Sequence, residues 1–161
     1  MSDGNARCLF TIVCDDVRPE VGNKISMMGI YDQALIVGHF PVVIPKLCFV
    51  MKARTPADEP FQSLSFVVRR HGEALILAEM DAAQLENTRE VPMIVAPDQD
   101  DPDQTDKVRQ VTAIMSLAPF ALEKPCRLWF RAITESGELQ GGSLAIGLAP
   151  DQERMAGSGP G

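Results

Sequence analysis

Aromatic rings are scarce in this chain: one Trp, one Tyr and seven Phe, 6% of 161 residues. Any core must therefore be built mainly from Val, Ile, Leu, Met and Ala. Histidine is scarcer still. His39 and His71 fall in separate turn-like segments, and no two of the four cysteines (Cys8, Cys14, Cys48, Cys126) have a gap of two to four residues. That spacing excludes a zinc site of the paired-ligand type, and no metal or cofactor is expected. No Ser stands in a Gly-x-Ser-x-Gly elbow and no cysteine has a base beside it in sequence, so an activated nucleophile is not legible. Gly141-Gly142 lies in a strand pattern rather than between a strand and a helix, which predicts a β-bulge and not a phosphate loop. Hydrophobic runs are short, well below the roughly 20 apolar residues of a membrane span. Met1 to Arg7 carries no apolar stretch of the kind found in secretory leaders. The expectation is a protein of the reducing cytoplasm whose four thiols stay free.

What is present begins with charge. The formal net charge of −7 argues against nucleic-acid or anionic-membrane partners, both of which attract cations. The acids gather in loop-like segments, Asp15, Asp16, Glu20, Asp58, Glu59 and Asp98 to Asp106. By contrast Lys46, Lys52, Arg54, Arg69, Arg127 and Arg131 fall inside extended segments, predicting a basic sheet face.

The apolar pattern is that of strands. Cys8 to Cys14 is nearly continuous and ends at Asp15-Asp16; Lys24 to Tyr31 follows, with Gly29 marking a bulge or a close backbone approach. Ala34 to Val37 is short and lies next to Pro41 and Pro45, which places it at an edge or a crossover. Lys46 to Arg54 alternates, with Leu47, Phe49, Met51 and Ala53 facing a core and the other side mostly wet. Gln62 to Met80 reads as a hairpin turning at His71-Gly72-Glu73, with a three-residue bulged turn. Asp81 caps a short helical turn. Val108 to Leu117 and the closing hairpin, Cys126 to Thr134 with Leu139 to Leu148, complete the set. The fold class is all-β: a two-layer antiparallel β-sandwich of roughly seven to nine strands, immunoglobulin-like or C2-like in architecture. Residues 1–149 form one domain and 150–161 a flexible tail.

The segments Cys14-Asp15-Asp16-Val17-Arg18-Pro19-Glu20-Val21-Gly22-Asn23-Lys24 and Pro45-Lys46-Leu47-Cys48-Phe49-Val50 resemble a family of small bacterial and phage proteins catalogued as a domain of unknown function. The resemblance takes in the first half of the chain and the closing hairpin. It implies a stand-alone sandwich domain with no assigned activity, and it carries over no functional residues.

One strand carries a functional expectation. If Leu128, Phe130 and Ala132 point inward, then Arg127, Trp129, Arg131 and Ile133 face out. An indole flanked by guanidinium groups is a flat cationic platform, a composition enriched where proteins bind one another. The chain is therefore expected to be a non-enzymatic module that binds a protein partner or itself through Arg127, Trp129 and Arg131. A calcium- or ligand-binding C2-like domain using Asp15, Asp16 and the acids of Asp98 to Asp106 is the alternative, although the latter run lacks the Gly and Glu of an EF-hand. An unrecognised hydrolase stands third.

Overall fold

The structure is a computed structural model describing residues 6–88, 90–91 and 108–151. Among these residues the chain forms twelve strands and one helical turn: β1 (Cys8–Glu20), β2 (Lys24–Tyr31), β3 (Ala34–Val37), β4 (Val42–Ile44), β5 (Leu47–Pro56), β6 (Leu64–Arg70), β7 (Glu73–Met80), α1 (Ala82–Glu86), β8 (Glu90–Val91), β9 (Val108–Leu117), β10 (Phe120–Leu122), β11 (Cys126–Thr134) and β12 (Gly137–Leu148). The expected count was lower because β4, β8 and β10 have three residues or fewer, too few for a side-chain period to register.

Two five-stranded sheets hold most of the chain, one ordered β2-β1-β5-β9-β8 and the other β3-β12-β11-β6-β7, with β10 and β4 paired separately. Both sheets feed one core: Leu9, Val13, Phe49, Met51, Val111 and Ala113 from the first, Phe66, Val68, Leu128, Phe130, Leu144 and Ile146 from the second. Phe49 and Phe130 meet across it, centroids 5.7 Å apart and tilted by 48°. The pairing is antiparallel throughout except that β3 runs parallel to β12. A purely antiparallel arrangement was expected from hairpins alone; β3 arrives instead by a long connection, for which parallel pairing is available.

Several local readings change. β1 does not stop at Asp15-Asp16 but continues to Glu20, because β2 pairs with it from Val13↔Tyr31 to Glu20↔Lys24. Pro19 is tolerated there because β5 flanks only Cys8 to Cys14, so no ladder bond is lost on the open side. The turn shrinks to Val21-Gly22-Asn23, with Gly22 and Asn23 left-handed at φ 82° and 59°. The β6–β7 turn has two residues, His71 and Gly72 at φ 50° and 82°, as a tight hairpin requires. The irregularity lies farther along the ladder, where β7 carries one extra residue, Leu75, opposite the Val68–Arg69 step of β6. Finally, β5 is the middle strand of its sheet, and its outward Cys48 and Val50 are buried too. Cys14 and Ser116 flank Cys48, and Ile12 and Ile114 flank Val50, so lateral neighbours cover what alternation alone would leave wet.

α1 is capped as its sequence predicts. The Asp81 carboxylate accepts the Gln84 N–H at 2.7 Å and the Gln84 side chain accepts the Asp81 N–H at 2.9 Å, a reciprocal capping box. The acidic run Asp98 to Asp106 and most of the expected tail, residues 152–161, lie outside the described residues.

Candidate interaction site

β11 sits between β12 and β6, and its inward residues Leu128, Phe130 and Ala132 are all buried. Alternation therefore turns Trp129 outward, where it is 42% exposed. The strand is pinned on one side by β6, which sets Arg69 opposite Trp129 and Val67 opposite Arg131. On the other side Ser143 faces Trp129 and Gln140 faces Arg131, so β12 carries one extra residue between them. Gly141 and Gly142 fill this bulge, as expected, and Gly142 adopts φ 88° with open space where a side chain would stand.

The guanidinium groups of Arg127 and Arg131 lie 5.8 Å and 5.3 Å from the Trp129 ring centroid. Their electrostatics differ. Arg131 pairs with Glu138 at 3.2 Å and donates to the Phe130 carbonyl at 2.8 Å, and its side chain is only 15% exposed. Arg69 also reaches Glu138, at 3.4 Å. Arg127 donates to the Ser143 hydroxyl at 3.0 Å and makes no ion pair among the described residues. The platform is thus a stacked indole with one neutralised and one available cation. Beside it Arg69, Gly72, Trp129, Arg131 and Glu138 line a shallow hollow of about 270 Å³. Val67, outward-facing between Arg131 and Leu77, is 1% exposed, giving this part of the face a covered apolar floor.

The other expected features disperse. The cations do not share one face: Lys52 and Arg54 stand on the outward side of β5, whereas Arg69, Arg127 and Arg131 belong to the opposite sheet. Alternation within one strand cannot say which sheet the strand joins. Asp15 accepts the Tyr31 hydroxyl. Burial, then this bond, push the phenol up to about 12. Asp16 pairs with Lys46 at 2.6 Å and Arg18 at 3.4 Å. No group of three His, Cys, Asp or Glu suited to a metal occurs among the described residues. His39 contacts the Pro41 carbonyl at 3.0 Å. His71 and Cys126 line one hollow of about 490 Å³ with Arg70 and Lys124. Burial raises the Cys126 thiol and Arg70 offsets this only in part, the opposite of an activated thiolate.

A protein-family model matches residues 9–146, from the first core residue of β1 to the last of β12. The chain belongs to a family of unknown function, DUF6941. The match is wider than the two segments that carried the resemblance, and it takes in every residue of the β11 platform in this DUF6941 chain. No curated protein and no solved structure matches the chain.

The sequence grouped Arg69 with Arg127 and Arg131 on a basic face but left Glu138 out of the site. Glu138 was within reach, since the turn at Glu135-Ser136 sets it against Ile133 on the outward face. The pairing of Arg69 with Trp129 was not, because nothing local states that β6 lies beside β11.

Proposed function

We propose that this DUF6941 domain is a non-enzymatic protein-binding module, built as a two-layer sandwich of the immunoglobulin-like or C2-like kind, that holds its partner on the outer face around Trp129. The observation that carries this reading is the half-exposed indole of Trp129, stacked between Arg127 and Arg131 above a shallow hollow. Exposed Trp and Arg together are the side chains most enriched among those that dominate binding energy. Arg127 retains a charge that an acidic group on the partner would satisfy.

The test is affinity capture with wild type, Trp129→Ala, Arg127→Glu and, as control, Val43→Ala, a residue exposed elsewhere. A partner recovered by wild type and Val43→Ala but lost from the two site variants is the expected result. The same direct binding, remeasured with purified partner, should weaken by at least tenfold in Trp129→Ala, corresponding to roughly 1.4 kcal/mol. Equal recovery by all four proteins overturns the reading.

A further inference from the structure

Two of the four cysteines stand directly opposite one another. Cys14 of β1 and Cys48 of β5 are register partners in an antiparallel pair, so their side chains leave the sheet on the same face. That face is the one turned away from the core, since Val13 and Phe49 beside them point into it. Directly opposed residues in such a ladder have Cα atoms about 4.5–5.5 Å apart, inside the roughly 4.4–6.8 Å that a disulfide spans. Their Cβ atoms need approach by only about 1 Å to reach bonding geometry. The sulfurs are drawn to the same stretch of backbone: Cys14 Sγ donates to the Asp16 carbonyl at 3.5 Å and Cys48 Sγ to the Asp15 carbonyl at 3.6 Å.

We propose that Cys14 and Cys48 form an oxidisable dithiol that closes to a disulfide across β1 and β5 when the protein meets a peroxide. One thiolate attacks the O–O bond of hydrogen peroxide, forming an S–O bond and releasing hydroxide, which is protonated to water. The second thiolate attacks the resulting sulfenic sulfur, forming the S–S bond and expelling a second water after protonation. Two thiols lose two electrons in total, and one peroxide becomes two waters.

Reaction is gated by access rather than by geometry. Cys14 is 0% and Cys48 2% exposed, whereas Cys8 and Cys126 are part-exposed. Burial raises both paired thiols, and for Cys14 the neighbouring Cys48 adds to that rise. Bulky reagents should therefore find Cys8 and Cys126 first in the reduced protein, and peroxide should reach the pair through local opening of the strands, more slowly than it reaches an exposed thiol.

The experiment treats the reduced full chain with hydrogen peroxide, blocks remaining thiols in denaturant and maps the products. Trypsin does not cut Arg18-Pro19, so the expected product joins peptide 8–24 to peptide 47–52 with a loss of about 2 Da. Because peptide 8–24 also holds Cys8, the decisive protein is the double variant Cys8→Ser, Cys126→Ser, which should form the same link. The oxidised form should melt about 5–10 °C higher, because the bond closes a loop of about 34 residues. Four free thiols after treatment, over-oxidation without a link, or failure of the folded double variant to form it would each overturn the proposal.

Discussion

Among single residues, Thr11 carries an anomaly. Its hydroxyl is buried without a hydrogen-bond partner among the described residues, pressed towards the backbone of Gly141 in the other sheet. A lone buried hydroxyl has lost its water and gained nothing in return. Thr11→Val keeps the shape and removes the orphan, so it should stabilise the protein by about 1 kcal/mol, a rise in Tm of about 2–4 °C. Thermal melts of the two proteins decide it, and an unchanged or lower Tm would mean the hydroxyl is satisfied. Trp129 offers a second handle, because it is the chain's sole Trp and intrinsic fluorescence reports that one position. Its outward orientation was legible from the alternation of β11. The division of labour between Arg127 and Arg131 was not, since it depends on Glu138 and Arg69 arriving from neighbouring strands.

Between elements, one buckle joins three of them. Arg7 pairs with Glu135 at 2.5 Å and donates to Thr55 Oγ1, Ser136 Oγ and the carbonyls of Glu59 and Pro60. Its guanidinium also lies 4.8 Å from the Phe61 ring centroid. The other Glu135 oxygen accepts the N–H groups of Gln62 and Ser63, both at 3.1 Å. Burial works to raise this carboxyl, but the bonds from Ser63, its own N–H, Arg7 and Gln62 prevail and hold it down to about 2 against an ordinary 4.5. The folded value is the lower one, so the stabilisation is complete above about pH 4.5 and fades as pH falls towards 2. Glu135→Gln should cost about 1–3 kcal/mol at neutral pH, and the gap to wild type should close across that window. Urea melts between pH 7 and pH 2 check it; a gap independent of pH would break the assignment. Little in the sequence announced this buckle. Hairpins such as β11–β12 and the capped α1 are legible because their determinants lie within a few residues. Arg7 meets Glu135 only once the strands between them have been arranged, and the same distance hid β6 from β11 and β3 from β12.

For the molecule as a whole, the two sheets approach tightly at Gly141. A methyl group on Gly141 would stand 2.6 Å from Leu9 Cδ2 and 2.7 Å from Thr11 Oγ1, so β12 can lie this near to β1 only without a side chain there. Gly141→Ala should force the layers apart and destabilise by about 1–3 kcal/mol. Chemical denaturation measures it, and a neutral outcome would show that Leu9 and Thr11 yield freely. The topology also has a bearing on biosynthesis. Among the described residues Ala34 finds its lateral partner only in Ala145, on the last described strand in chain order. At about 5–20 residues per second a ribosome needs roughly 5–20 s to travel between them. During that interval Ala34 to Val37 waits as an unmatched ribbon in the nascent chain, and its sheet closes only once the segment from Gly137 to Leu148 has been made.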